Sequence, residues 1–260
     1  MPNPSRRPKL EILYDDNAVT AIAKPSGITS VSERWDPNAP TAIDLLWELW
    51  QKQPAKFGWR DGEEIPRPHV IHRLDKDTSG LILFGKNRDA QVSLREQFRV
   101  RTVEKTYFAL TAGIPLPAEG SIEISIEEDG GRPGRVRRVS RGGKECFTDY
   151  KTLETFGWYA WVELHPKTGR THQLRISLRE VSAPIVADRD YGDGAPLFLS
   201  QVKKSYRPGR GEEERPLLGR LGLHAARLTF RSPITDENVT IEAPLPKDLR
   251  ATLRQLERWS

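Results

Sequence analysis

The sequence predicts an α+β fold built on a mainly antiparallel mixed sheet flanked by helices, and three observations carry that expectation. Strand-like segments follow one another in runs. Helix-length apolar periodicity occurs at only a few places, too few to supply a crossover helix for every strand. No Pro/Gly/Ser-rich linker and no internal repeat divides the 260 residues, so one domain spanning 1–260 is the simplest reading.

Taken in order, the chain opens on a hairpin: residues 12–14, a turn at Asp15-Asp16-Asn17, then residues 18–23, ended by Lys24-Pro25-Ser26-Gly27. A helix is predicted over 41–51. Thr41 is its N-cap with Asp44 three residues on, and Ala42, Leu45, Leu46, Leu49 and Trp50 form one apolar stripe. Residues 69–71 read as the end of a short strand and 81–84 as a buried strand, with Thr78, Ser79 and Gly80 supplying the turn. A less regular helix over 89–100 uses Val92, Leu94 and Phe98. Strands are expected at 103–112, 122–126, 145–152 and 158–164. Residues 171–178 are short enough for either state, but Leu174 and Leu178, four apart, favour a helix. Strands return at 184–186 and 223–230, and a helix over 245–259 closes the chain.

Composition bounds the function. With 37% hydrophobic residues and seven Trp the chain can bury a core, while 30% charged residues and a mean hydropathy of −0.61 imply a polar surface. No apolar stretch approaches the roughly 20 residues that a membrane helix needs. The first ten residues carry Arg6, Arg7 and Lys9 but no apolar core, which argues against a secretory signal. The single cysteine, Cys146, excludes an internal disulfide and fits a reducing cytoplasm, where it would pack as a small hydrophobe. A net charge of +5 and a pI near 9.3 favour a polyanionic partner. Residues 130–144 concentrate six basic residues, including Arg135, Arg137 and Arg138, among glycines, as an RNA-gripping loop or hairpin would. A solvated basic loop explains the same pattern. The insert at 203–216 mixes charges and reads as a mobile loop without chemistry.

Metal and nucleotide chemistry find little support. His69 and His72 lack a third nearby ligand, the other histidines are scattered, and Gly169-Arg170-Thr171 lacks phosphate-loop spacing. No metal and no cofactor are expected. The most informative stretch is His72-Arg73-Leu74-Asp75-Lys76-Asp77-Thr78, which places the carboxylate of Asp75 on a short loop gripped by apolar segments on both sides. Asp75 and Asp77 could equally serve only as turn residues that bond nearby backbone N–H groups.

This stretch resembles the H-R-L-D-x-x-T-S-G-L signature of RNA pseudouridine synthases, in the branch acting on large ribosomal and transfer RNA. Three further blocks stand in that family's order: Glu104-Lys105-Thr106-Tyr107-Phe108-Ala109-Leu110, Pro166-Lys167-Thr168-Gly169-Arg170-Thr171-His172-Gln173-Leu174-Arg175, and Leu223-His224-Ala225-Ala226-Arg227-Leu228. The opening hairpin with Lys24-Pro25-Ser26-Gly27 is similar too, so the resemblance covers about residues 10–245. It implies an active cleft crossing the middle of the sheet, with Asp75 as the essential aspartate, Tyr107 stacking on the uracil and Arg175 paired with the aspartate. Arg73 would contact the RNA at the flipped nucleotide. From local pattern alone Tyr107 is a core aromatic and Arg175 and Arg73 are surface charges.

Isomerisation of uridine breaks the N1 glycosidic bond and rejoins the ring through C5, with no redox change. It calls for a carboxylate, a flat surface for the base and a cation that keeps the carboxylate ionised. Unstacking the base costs a few kcal/mol, which stacking on Tyr107 at about 1–3 kcal/mol partly offsets. The chain departs from the family's pattern at Ser177, where histidine is frequent, at Ala183-Pro184-Ile185-Val186-Ala187-Asp188, where H-P-I-x-G-D is, and at Ser232-Pro233, where His-Pro is. The hairpin starts near residue 11, leaving no room for a small N-terminal RNA-binding domain. The expected protein is therefore a cytoplasmic, monomeric stand-alone synthase acting on ribosomal or transfer RNA. Its alternative is a catalytically silent RNA-binding or RNA-folding protein of the same fold. A glycosidase pairing Asp75 with a second acid is a weaker rival, because Asp77 is only two residues away.

Overall fold

The structure, a computed structural model, describes residues 9–32, 39–60, 62–206, 209 and 213–260. Residues 1–8 of the basic leader and residues 207, 208 and 210–212 of the second insert lie outside them, so neither reading is addressed there. The chain forms two compact units, one comprising Met1–Glu104 with Arg227–Ala243, the other Lys105–Ala226 with Pro244–Ser260. Two of the three crossings fall at or within strands, which is why no linker composition marks them.

In the first unit, β1 (Glu11–Asp15) and β2 (Val19–Lys24) form the opening hairpin, and Asp16 Oδ1 accepts the N–H groups of Ala18 and Val19 at 2.7 Å each to close its turn. Helix α1 (Ala42–Lys52) starts where expected. The Thr41 hydroxyl accepts the Asp44 N–H, and Ala42, Ile43, Leu45, Leu46 and Trp50 are buried. The two-residue strand β3 (His69–Val70) pairs with β4 (Ser79–Gly85), every residue of which is buried. Strand β4 also pairs with β2, and α2 (Arg88–Arg99), capped by Asn87, follows it. The core gathers Val19, Ala21, Leu81, Leu83 and Leu94 with Leu228 and Phe230.

The second unit begins with β5 (Glu104–Ala112), whose first residue is the last of the first unit. It continues through β6 (Glu119–Glu128), β7 (Val136–Val139), β8 (Lys144–Phe156) and β9 (Tyr159–Pro166), in the spatial order β5-β9-β8-β6-β7. Each of the pairings β5–β9, β9–β8, β8–β6 and β6–β7 is antiparallel. Helix α3 (Gln173–Glu180) contributes Leu174, Ile176 and Leu178 to the core with Ile122, Val162 and Leu164. Strand β10 (Leu223–Arg231) carries the chain from the second unit into the first, where β11 (Asn238–Glu242) pairs with it, and α4 (Lys247–Trp259) ends the chain.

The strand expected over 184–186 does not form. Ile185 makes one isolated bridge to Thr111, because Pro184 has no N–H to donate and Ala187 turns the chain with a φ of 57°. Cys146 lies in the second unit's core, and burial pushes its thiol up to about 11 against the pull of Arg170. A chromogenic disulfide reagent at mildly alkaline pH is therefore expected to leave Cys146 unmodified in the native protein and to titrate one thiol after denaturation. Fast labelling without denaturant would contradict that burial.

Candidate active site

Asp75 belongs to the first unit, half-buried on the loop between β3 and β4. Backbone contacts fix the path of this loop. The Thr78 N–H donates to the Asp75 carbonyl at 3.2 Å. One residue earlier, Ser30 Oγ donates to the Leu74 carbonyl at 2.9 Å and accepts the Leu74 N–H at 3.0 Å. One residue later, the Lys76 carbonyl accepts from the Gly27 N–H and from Lys24 Nζ, both at 2.9 Å. Gly27 has φ of +88°, a left-handed geometry that glycine adopts without strain. On the approach side, His72 Nε2 accepts the Leu83 N–H at 3.0 Å while its ring stacks on Phe98 at 4.7 Å. Arg73 is exposed.

Lys24 is a member of this apparatus that sequence reasoning passed over. It is 1% exposed, and Nζ also donates to the carbonyls of Pro25 and Ile28 at 3.0 and 2.8 Å. An ammonium taken this far from water is tolerated because carbonyl oxygens replace its hydration shell. Replacing Lys24 by methionine should strand these acceptors and destabilise the fold by about 2–4 kcal/mol. Urea unfolding would measure it, and a loss below about 0.5 kcal/mol would show that Lys24 does not hold the loop.

Tyr107 and Arg175 belong to the second unit, as do Arg135, Arg137 and Arg138. Tyr107 is half-buried on β5, opposite Leu164 of β9, and packs against the core. The segment leading to Arg175 is tied to β8 through Gln173. Its carbonyl oxygen accepts from the Thr168 hydroxyl at 2.8 Å and the Arg170 N–H at 3.0 Å, and its amide donates to the Phe147 carbonyl and to Thr148 Oγ1, each at 3.0 Å. All four hydrogen-bonding positions of a buried glutamine are thus used, which explains a Gln just inside this helix.

Arg175 is 6% exposed. Its Nε and Nη2 donate to Asp188 Oδ2 and Oδ1 at 2.8 and 2.7 Å, and Nη2 also donates to Asp190 Oδ2 at 2.6 Å. Burial raises the Asp188 carboxyl, but the hydrogen bonds and charge of Arg175, with the N–H groups of Asp190 and Tyr191, outweigh it and hold the group below the ordinary carboxylate range. The Tyr191 hydroxyl accepts the Val136 N–H at 2.9 Å and lies 3.0 Å from His172 Nδ1, while both the Arg175 and Arg135 guanidinium groups stack on its ring at 5.1 and 5.2 Å. The expected basic segment is the β6–β7 hairpin and the turn after it. Arg137 pairs with Glu127 and Arg138 with Glu180 on its surface, whereas Arg135 turns inward to the Asp190 carboxylate and Tyr191.

A family profile described as RNA pseudouridylate synthase matches residues 18–180. The chain belongs to the RNA pseudouridylate synthase family. It is 35% identical over 242 residues to ribosomal large subunit pseudouridine synthase D of Neisseria meningitidis serogroup B, an alignment covering 92% of this chain and 59% of that protein. It is 34% identical to the uncharacterized RNA pseudouridine synthase YhcT of Bacillus subtilis, covering 95% of this chain and 72% of the relative. This chain thus spans about three-fifths of the Neisseria protein's length. The solved structure of human RNA pseudouridylate synthase domain containing 4 superposes with a TM-score of 0.70 at 28% identity, covering 95% of this chain and 92% of the human one.

Within this family the chain's departures acquire physical content. Ala187 stands where the synthase pattern has glycine and keeps the left-handed φ that glycine would adopt freely, a strain of roughly 1 kcal/mol. Ser177, in place of the frequent histidine, is fully buried and its Oγ finds no hydrogen-bond partner among the described residues. Asp188 matches the pattern's aspartate, and its grip on Arg175 shows why an acid follows the turn.

Proposed function

We propose that this synthase-family chain isomerises uridine to pseudouridine in ribosomal or transfer RNA. Asp75 supplies the nucleophile, Tyr107 the flat surface on which the detached uracil rests, and Arg175 the cation that favours an ionised carboxylate. The observation that carries this reading is the carboxylate of Asp75 in the family's signature, on a loop whose path is held through the backbone groups of Leu74, Asp75 and Lys76. The N1–C1′ bond breaks, a C5–C1′ bond forms, the C5 proton leaves and N1 gains one, so the reaction balances without an oxidant, reductant or cofactor. Attack on the ribose and attack on the uracil ring use the same residues. Arg73 and the β6–β7 hairpin engage the RNA, and the names of the relatives favour large-subunit ribosomal RNA as the substrate. A monomer working in the cytoplasm completes the proposal.

The test is a pseudouridine map of ribosomal and transfer RNA from cells with and without this protein, read by carbodiimide-dependent stops in reverse transcription. Loss of one or a few sites, restored by adding the purified protein, supports the reading. An unchanged map, with RNA binding that weakens as salt rises, supports the silent RNA-binding alternative.

A further inference from the structure

Arg135, Arg137 and Arg138, three of the arginines of the β6–β7 segment, are not equivalent. Arg137 and Arg138 are exposed, each with a glutamate, Glu127 at 2.5 Å and Glu180 at 2.7 Å, so an approaching phosphate meets a neutralised pair. Arg135 is different. Its side chain is only 16% exposed, yet among the described residues its guanidinium donates no hydrogen bond, and its buried Nε has no acceptor. Its sole anionic neighbour there is Asp190 Oδ1, at 3.8 Å from Nε, too far for a hydrogen bond, and the other oxygen of that carboxylate is already committed to Arg175 at 2.6 Å. Tyr191, its ring at 5.2 Å, stacks on the guanidinium but supplies no acceptor to it.

A largely desolvated guanidinium with no acceptor is unfavourable, and the free protein offsets that only through a long ion pair and a ring face. A phosphodiester offers two oxygens at the spacing a guanidinium fork matches, with the charge that Asp190 supplies only in part. Resting on the reading of the chain as an RNA-modifying enzyme, we propose that Arg135 is the receptor for one backbone phosphate of the RNA and that Asp190 holds its place when no RNA is bound. Arg135 then shares a carboxylate and a tyrosine ring with Arg175, so phosphate docking occurs beside the arginine assigned to the chemistry.

The experiment is equilibrium binding of a fluorescent oligouridylate across a salt series, with melting temperature and turnover recorded for each variant. Arg135→Ala should weaken binding roughly tenfold and reduce the salt slope by about 0.7, the loss of one single-strand phosphate contact. Arg137→Ala and Arg138→Ala should each stay within about twofold of wild type. Asp190→Asn, which removes the competing anion, should tighten binding by about twofold to threefold. If Arg135→Ala melts early, Arg135→Lys carries the comparison, since it keeps the charge and should keep the salt slope. An excess of inorganic phosphate should compete only weakly, because it engages one contact of many. Arg135→Ala or Arg135→Lys results opposite to these, or an equal loss in Arg137→Ala, would overturn the assignment while wild-type turnover left the enzymatic reading intact. Wild-type protein that neither bound nor modified RNA would instead remove the reading on which it rests.

Discussion

Asp75→Asn is expected to reduce pseudouridine formation by on the order of 10⁴-fold or more, while the protein folds and binds RNA as the wild type does. The amide has nearly the shape of the carboxylate and removes only its charge and nucleophilicity. Bonds to the backbone of Leu74, Asp75 and Lys76, from Ser30, Thr78, Gly27 and Lys24, help to set the loop's path and survive the exchange. Stability in urea should therefore fall within about 0.5–1 kcal/mol of wild type. The competing view of Asp75 as a turn residue predicts the reverse pattern, a change in stability with turnover retained, so activity and denaturation measured on one preparation separate the two.

Asp188→Ala should cost about 3–5 kcal/mol, because it removes the bidentate carboxylate that holds the buried guanidinium of Arg175. The same change strands the N–H groups of Asp190 and Tyr191, which Asp188 Oδ1 accepts at 2.9 and 3.1 Å. Asp188→Asn keeps an acceptor for those groups and should lose less. The acid dependence follows from the carboxyl's depressed value. The folded protein holds Asp188 below its unfolded value near 4, so its contribution is complete above that pH and is lost as pH falls through the lower, folded value. The stability gap between wild type and Asp188→Asn should accordingly narrow below about pH 4. A gap independent of pH would mean that the ion pair contributes nothing to folding.

What the sequence makes legible is what repeats or is punctuated. The stripe from Ala42 to Trp50 with its Thr41 cap, the unbroken apolar β4 and the turn at Asp15–Asn17 all encode their structure locally. Strands β7 and β11 escape because they are four and five residues long, and Val-Arg-Arg-Val carries no clean alternation. The division into two units escapes because the chain crosses at or within β5 and β10, where a strand's own pattern hides any boundary. Asp75, Tyr107 and Arg175 stand out through motif order. Lys24, Asp188 and Asp190 do not, since a buried lysine and an acid that restrains an arginine look like ordinary polar residues until their partners are placed. Arg135 is separable from Arg137 and Arg138 only by the turn that points it inward.

The central claim is tested most directly by tritium release from RNA labelled at uridine C5, using ribosomal and transfer RNA from cells lacking this protein, with Asp75→Asn alongside. The account predicts release by the wild-type protein and none by the variant. Release by both would contradict the role of Asp75, and no release from either RNA pool despite tight binding would contradict the assignment of synthase activity.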